Sequence, residues 1–169
     1  MAKKVADKTA SKKGKGGGGE ETPSATTTTA QTEGGPVITI VTGANGRLES
    51  ASATIKKKHI GTGTGTTDAA RKKARAQGKD TDDAGHAIGN NLGGPGGATS
   101  GNIFPFDPGV NRGEFSQFEQ DVADEVKAGK DVQVEVSPNY SSPDATRPTS
   151  VTYTVTVDGV TTSRDFDNP

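Results

Sequence analysis

The pattern of hydrophobic and polar positions predicts strands at both ends of the folded part of the chain. Residues 37–55 contain a β-branched run, an Asn-Gly pair that favours a two-residue turn, and a stretch of alternating small and polar residues. Apolar residues alternate again over residues 132–136 and 151–157, and Asp158-Gly159 predicts a turn into a last strand that ends near Phe166. The pattern therefore predicts a hairpin followed, much later, by three further strands.

Two helices are predicted between these groups of strands. A short basic helix is expected to begin at Thr67 or Asp68 and to end at Gly78. A second helix, capped by Asn111, is expected to end at Gly129. Strands, helices and strands in this order predict an α+β fold.

The second helix carries an apolar stripe that polar residues interrupt. At about 100° per residue, the apolar positions of residues 115–126 project onto one side, and Asn111 and Glu119 fall on the same side. An unpaired buried carboxylate is costly, so Glu119 needs a partner there. One interpretation is a cap at Asn111 and a pair between Glu119 and Arg112. The other is a site in which Asn111 and Glu119 hold a hydrated, Mg²⁺-like cation.

The chain has only two histidines, and they differ in their surroundings. His59 follows three lysines and is expected to be a solvated loop residue. His86 follows two aspartates and a glycine that frees the backbone to turn. It is a candidate general base, metal ligand or simple turn residue.

Composition narrows the class of protein. Only 28% of the 169 residues are hydrophobic, and cysteine is absent, which excludes disulfide scaffolds and thiol chemistry. No apolar run approaches the length of a membrane span. Residues 1–35, rich in Lys, Gly and Thr, are expected to be a disordered tail or linker without a Sec-type signal peptide, and residues 36–169 to be the folded domain.

Charge is distributed unevenly along the chain. Residues 36–80 carry nine basic and three acidic residues, a net +6, whereas residues 101–169 carry five basic and twelve acidic residues, a net −7. One interpretation is two solvated faces of opposite charge, and the other is a surface that binds a polyanion. The second assigns a nucleic-acid role to Lys56, Lys57, Lys58, Arg71, Lys72, Lys73 and Arg75.

Several short motifs in order resemble a known family. They are Asp83-Ala84-Gly85-His86, the segment from Asn91 to Gly94, Asn102-Ile103-Phe104-Pro105, Asn111-Arg112-Gly113 and Glu119. The set resembles the DNA/RNA non-specific endonucleases of the ββα-metal (His-Me finger) superfamily, and is most similar to the nuclease domains at the C-termini of bacterial secreted toxins. The similarity extends through Arg147 and Tyr153, and implies a ββα-metal core with a mixed or antiparallel sheet and two helices.

The resemblance also implies roles for individual residues. His86 is expected to be the general base, and Asn111 the direct ligand to Mg²⁺ or Mn²⁺. Glu119 is expected to hold the metal through water, and Asn102 to orient the site through the metal's waters or through Asn111. Well-known members carry Arg where this chain has Ala84. In those members the arginine contacts the scissile phosphate. The candidates to take over this contact are Arg112, Arg147, Arg164 and the lysines 56–58.

Three hypotheses follow. The first is a Mg²⁺-dependent endonuclease that cleaves DNA, RNA or both without sequence preference, as the toxin domain of a secreted effector. Such a domain implies delivery into a target cell and a cognate immunity protein as partner. The second is a non-catalytic module that binds polyanions on the same fold. The third is a structural α+β domain in which His86 is a turn residue.

Overall fold

The computed structural model describes residues 25–169, and these form two antiparallel sheets and three α-helices. This confirms the predicted α+β class. The strands are β1 (Thr26–Ala30), β2 (Ile38–Thr42), β3 (Leu48–Ile55), β4 (Asp83–His86), β5 (Ile103–Phe106), β6 (Val132–Asn139), β7 (Ser150–Val157) and β8 (Val160–Asp167). The helices are α1 (Asp68–Gln77), α2 (Pro108–Arg112) and α3 (Glu114–Lys127), with short 3-10 turns at Lys57–His59 and Asn90–Leu92.

The large sheet has the strand order β1-β2-β3-β6-β7-β8, and every neighbouring pair is antiparallel. The predicted turn at Asp158-Gly159 is present, with φ values of 49° and 85° that suit a two-residue hairpin turn. The two-residue turn predicted at Asn45-Gly46 is wrong, because five residues, 43–47, join β2 to β3 and the Gly46 N–H donates to the Gly43 carbonyl at 2.9 Å. The alternating valines of β6 face the core and are at most 3% exposed. The predicted strands at both ends of the chain are therefore confirmed.

Helix α3 packs its apolar stripe against the large sheet. Phe115, Val122 and Val126 are buried, as the helical spacing predicts. The ring of Phe115 lies 5.6 Å from that of Tyr153 in β7 and 5.1 Å from that of Phe166 in β8. These aromatic contacts fix the helix on the sheet, and Glu119 lies in the same stripe.

Helix α1 begins and ends where predicted. The Thr67 hydroxyl accepts a hydrogen bond from the Ala70 N–H at its start, and Gly78 caps its end. Ala70 and Ala74 are buried against Ala84 and the following small sheet of β4 and β5. Small side chains thus let α1 lie close to β4 while its charged residues face outward.

The second predicted helix is in fact two. Asp107, not Asn111, caps α2 by accepting a hydrogen bond from the Val110 N–H at 3.1 Å. Gly113 separates α2 from α3, and Asn111 lies in the last turn of α2. The expected cap at Asn111 is wrong, because Asp107 followed by Pro108 is the stronger helix start.

The ordered chain begins earlier than Pro36. Strand β1 lies within the segment that was expected to be a tail, and it pairs with β2 along its whole length, from Thr26 opposite Thr42 to Ala30 opposite Ile38. The expected boundary is therefore too late. The expectation for residues 1–24 lies outside the described residues.

His59 is not an exposed loop residue. It is 8% exposed, and its Nδ1 accepts a hydrogen bond from the Lys56 N–H at 2.9 Å. Burial lowers the pKa of His59, and the charges of Lys58 and Lys56 lower it further. Its ring therefore stabilises the 3-10 turn as a neutral acceptor.

Candidate active site

A polar pocket of about 280 Å³ opens where the end of β4, the 3-10 turn Asn90–Leu92 and the start of α3 meet. Its volume exceeds that of several water molecules, each of which takes about 30 Å³ in the liquid. The residues that line it are His86, Gly89, Asn90, Asn91, Asn111, Ser116, Glu119 and Gln120. The structure thus brings His86, Asn111 and Glu119 together, although 33 positions separate the first from the last.

His86 ends β4 and points one ring nitrogen at a carbonyl. Its Nε2 lies 2.8 Å from the carbonyl oxygen of Thr64. A carbonyl oxygen only accepts hydrogen bonds, so Nε2 carries the hydrogen and Nδ1 of the neutral ring is unprotonated. Burial lowers the pKa of His86, an effect that the bond to Thr64 only partly offsets. The neutral ring therefore presents Nδ1 as the nitrogen that can accept a proton.

Glu119 is a buried carboxylate at the bottom of the pocket. It is 9% exposed, and its Oε2 accepts a hydrogen bond from the Gly89 N–H at 2.8 Å. Burial raises the pKa of Glu119 to about 8, against the opposing effect of the Gly89 N–H. The partner that was expected within the protein, Arg112, does not contact it. A buried carboxylate with one backbone donor is a position that favours a cation.

Asn111 is held by Asp83. Its Nδ2 donates a hydrogen bond to Asp83 Oδ2 at 2.8 Å, so its side-chain oxygen remains available at the pocket. Burial raises the pKa of Asp83, but hydrogen bonds from Arg112 and Asn111 and the charge of Arg112 outweigh that effect and lower it overall. An ionised Asp83 therefore fixes the orientation of the Asn111 amide.

Arg112 pairs with Asp83 and not with Glu119. Its Nε and one terminal nitrogen donate to the two carboxylate oxygens of Asp83 at 2.9 and 2.7 Å. The expected Glu119–Arg112 pair is therefore wrong, because Asp83 offers both oxygens at the surface, where Arg112 stays hydrated. Arg112 lies beside Asn111 at the edge of the pocket and does not line it.

Asn102 lies behind the pocket and is fully buried. Its side-chain oxygen accepts from the Ile88 N–H at 3.0 Å, and its Nδ2 donates to the carbonyls of Ile88 and Pro95 at 2.9 and 3.0 Å. It makes no hydrogen bond to Asn111 within residues 25–169, so that expected contact is absent there. Asn102 thus fixes the backbone at Ile88, two residues after His86.

Arg147 does not face the pocket. Its guanidinium donates two hydrogen bonds to Asp82, which is 1% exposed, at 2.7 and 2.9 Å, and another to the carbonyl of Asn168. Arg147, a candidate to bind the substrate in place of the missing arginine, has its guanidinium engaged by the nearby buried carboxylate. Arg164 is also engaged, with Glu114 at 3.5 Å and over the ring of Phe166.

The remaining basic residues lie before and after a loop that contacts the wall of the pocket. Lys56, Lys57, Lys58 and Lys72 are exposed, and Arg71 donates to Thr66 at the start of α1. The loop between them contacts the pocket wall, because the N–H groups of Gly61 and Gly63 donate to the carbonyls of Asn91 and Asn90 at 3.0 and 3.1 Å. We call this set of residues the basic surface and define it as Lys56, Lys57, Lys58, Arg71, Lys72, Lys73 and Arg75.

Ala84 is 6% exposed and packs beneath α1. The position that carries an arginine in well-known members of the resembled family therefore serves helix packing in this chain. Its charge has to be replaced by a residue elsewhere.

Sequence reasoning missed several residues that line the pocket, namely Asn90, Ser116 and Gln120, and placed Asn91 in a motif without a role. Ser116 and Gln120 are four apart on α3 and adjoin Glu119, so helical spacing alone contained the signal for them. The turn at Asn90–Leu92 had no such signal, because its position depends on the distant loop that packs against it. Asp83 was noticed in a motif but given no role.

The donor set fits a hydrated divalent cation. Asn111 and Glu119 supply oxygen atoms, which hard cations prefer, and the carboxylate is buried without a cationic partner. No group of three or more His, Cys, Asp or Glu side chains suited to a metal occurs in the described part of the chain. A cation here would thus keep most of its waters, as Mg²⁺ does.

Comparisons with known proteins agree with this geometry. The model of the DNA/RNA non-specific endonuclease family matches residues 28–159. A relative described as a probable deoxyribonuclease RhsA from Dickeya dadantii is 44% identical over 121 residues, 72% of this chain but 8% of the relative's length. This chain therefore spans less than a tenth of that relative.

Solved structures share the fold at low identity. NucA from Streptococcus agalactiae with magnesium bound superposes with a TM-score of 0.61 at 12% identity, over 86% of this chain and 84% of NucA. Sda1 nuclease with bound zinc superposes with a TM-score of 0.57 at 15% identity, over 88% and 85%. Both support the ββα arrangement of β4, β5 and α3.

The fold and the family match define an endonuclease. The chain belongs to the DNA/RNA non-specific endonuclease family, because the family model covers most of its length. No helix among residues 25–169 is long and apolar enough to span a membrane.

Proposed function

We propose that the chain hydrolyses phosphodiester bonds of nucleic acid with His86 as general base and Mg²⁺ as cofactor. The observation that carries this proposal is the fixed tautomer of His86, whose Nδ1 is unprotonated in the pocket that Asn111 and Glu119 also line. The magnesium-bound neighbour NucA supports the choice of metal.

In this mechanism His86 Nδ1 takes a proton from water, and the water oxygen forms a bond to phosphorus as the bond to the 3′ oxygen breaks. The Thr64 carbonyl accepts the Nε2 hydrogen and stabilises the imidazolium that results. Asn111 and Glu119 would hold the cation, and Asp83 keeps the Asn111 oxygen directed at it. When bound, the cation supplies positive charge that stabilises the phosphorane and the departing oxygen.

The substrate is held mainly through its phosphates. The basic surface borders the pocket, and the exposed face of α3 on the other side carries Gln117, Asp121 and Asp124. Phosphates are therefore attracted toward one side, and binding through them carries no sequence preference. The relative described as a deoxyribonuclease supports DNA as the substrate to test first.

The biological setting is a toxin domain delivered into a target cell. The RhsA relative, of which this chain matches a short part, supports a domain within a much longer protein, and a neighbour described as an extracellular endonuclease supports secretion. A cognate immunity protein would then be its partner, with an acidic surface complementary to the basic surface.

Digestion of plasmid DNA and of total RNA tests the proposal. We expect wild type to degrade nucleic acid with Mg²⁺ and not with EDTA, and His86→Ala to lose about 10²–10⁴-fold in rate, the usual contribution of a general base. His59→Gln is the matched control, because the only other histidine lies in a structural turn. Equal background degradation by wild type and His86→Ala under every metal would refute the nuclease mechanism. A gel shift without cleavage would indicate the non-catalytic polyanion-binding module.

A further inference from the structure

Asn91 is a pocket residue to which the mechanism above gives no role. It lies in the 3-10 turn after Gly89, and its carbonyl accepts a hydrogen bond from the Gly61 N–H at 3.0 Å. Leu92, next to it, is fully buried. The backbone at Asn91 is thus fixed on both sides, and its side chain lines the pocket.

The side chains of Asn91 and Glu119 converge on one point beside Gly89. An atom at the Cβ position of Gly89 would lie 2.6 Å from each carboxylate oxygen of Glu119 and 2.7 Å from Oδ1 of Asn91. Any side chain there would collide with all three oxygens, so the turn requires glycine. Three oxygen atoms therefore surround the same small hollow.

These oxygens lack donors. A carboxylate and an amide oxygen only accept hydrogen bonds, and within residues 25–169 the Gly89 N–H is the one donor to Glu119. The Asn91 side chain has no hydrogen-bond partner in that same range. Burial raises the pKa of Glu119 to about 8, so its carboxyl can carry a proton when no cation is bound. A bound cation favours the ionised form, in which the facing oxygens of Glu119 and Asn91 take their donors from water.

We propose that Asn91 is a further positioning residue of the cation site, one that accepts a hydrogen bond from the cation's water shell beside Glu119. The proposal rests on the proposed function, because it concerns the same cation. Mg²⁺ keeps several of its waters in protein sites, and those waters are the strongest donors that the hollow could receive. Asn91 would then share with Glu119 the task of orienting the hydrated ion.

The opposite orientation of the Asn91 amide leads to the opposite expectation. With Nδ2 toward Glu119, Asn91 would donate to the carboxylate and act as a structural residue. Replacing it with leucine would then cost stability in the absence of metal and would not weaken the binding of a cation.

Calorimetric titration of Mn²⁺ and Mg²⁺ into the full chain, without nucleic acid, tests the proposal. We expect Asn91→Leu to weaken cation affinity by about tenfold or more, the usual effect of removing a group that supports metal ligands. In EDTA above pH 8, where Glu119 is ionised, the same variant should melt at or above the wild-type temperature, because an unpaired acceptor has been removed. Asn45→Leu, the same change at an exposed position between β2 and β3 that does not line the pocket, is the matched control and should bind the cation like wild type.

The outcomes separate this proposal from the proposed function. Wild-type cation binding with unchanged affinity in Asn91→Leu would overturn the role of Asn91 and leave the nuclease mechanism standing. A lower melting temperature of Asn91→Leu in EDTA would also overturn it, in favour of the structural orientation. Failure of wild type to bind either cation would overturn both. If Asn91→Leu does not fold, Asn91→Asp is the second test. Its added negative charge should tighten cation binding. Equal or weaker binding by Asn91→Asp would contradict the proposal.

Discussion

Arg147 and Asp82 form a buried pair whose strength depends on pH. Burial alone raises the pKa of Asp82, but the hydrogen bonds from Arg147 and the Lys79 N–H, with the charge of Arg147, outweigh burial and lower it overall. A carboxyl whose folded-state pKa is lowered stabilises the fold above its unfolded pKa, and this contribution is lost as the pH falls through the folded value. The pair therefore stabilises the fold at neutral pH, and this stabilisation is lost in acid.

We expect Arg147→Met to reduce the free energy of unfolding by about 3 kcal/mol at pH 7, because it leaves a buried carboxylate without its partner. Urea denaturation at pH 7 and at successive values below 3.8, the ordinary pKa of Asp82, measures the effect. The difference from wild type should shrink as Asp82 becomes protonated. Arg164→Met, which removes an exposed arginine, is the control. A difference that stays constant with pH would show that the charge of Asp82 is not what Arg147 stabilises.

Among the elements, the break between α2 and α3 sets the position of Asn111. A Cβ on Gly113 would lie 2.6 Å from the carbonyl oxygen of Gly109, so any larger residue must displace α2. Asn111 is in the last turn of α2 and Glu119 is in α3. The geometry of this glycine therefore controls the separation of the two residues proposed to hold the cation.

We expect Gly113→Ala to cost about 1–3 kcal/mol in stability, as overpacking does, and to lower the rate of DNA cleavage at limiting Mg²⁺ by tenfold or more. The loss should be partly restored at high Mg²⁺, since the defect lies in holding the cation. Gly97→Ala is the control, because no atom lies within 4 Å of its added methyl group. Wild-type activity of Gly113→Ala at every Mg²⁺ concentration would contradict the role of the break.

The basic surface is drawn from two elements, the turn at Lys57–His59 and helix α1. We expect Lys58→Gln with Lys72→Gln to weaken DNA binding without changing sequence preference. The slope of log affinity against log salt should fall by about 1 for each lysine that contacts a phosphate. Filter binding with the His86→Ala background measures this without cleavage. Lys127→Gln with Lys130→Gln removes the same charge at the end of α3, and an equal loss there would show that the effect is one of net charge only.

At the scale of the whole molecule, the elements that were predicted correctly carry local signals. Helix α1 begins at the capping residue Thr67 and ends at Gly78. In the strands, buried and partly exposed residues alternate, as they do in a sheet with one buried face. The break at Gly113 was missed because Asn111 with Glu114 imitates a capping box. The competing start at Asp107 has the stronger combination of cap and proline.

The site was predictable where its residues occur in an ordered motif, and not where contacts come from distant segments. The positions of His86, Asn111 and Glu119 around one pocket follow the order of the motifs. The partners of Arg147, Arg112 and His59 could not be predicted from the sequence, because charge and residue type do not determine which neighbour the fold places beside each side chain. Asp82 lies 65 positions from Arg147, and only the packing of the chain end brings them together.

The residues that line the pocket all lie between His86 and Gln120, whereas the basic surface lies before Asp82. The residues proposed for the reaction and those proposed to bind the substrate therefore lie in successive, non-overlapping stretches of the sequence. The two stretches nevertheless depend on each other, because the loop between the turn at Lys57–His59 and α1 supplies the Thr64 carbonyl that bonds His86 and the N–H groups that bond Asn90 and Asn91. Exchange of the first stretch alone would therefore remove the contacts that orient His86 and the turn beside it.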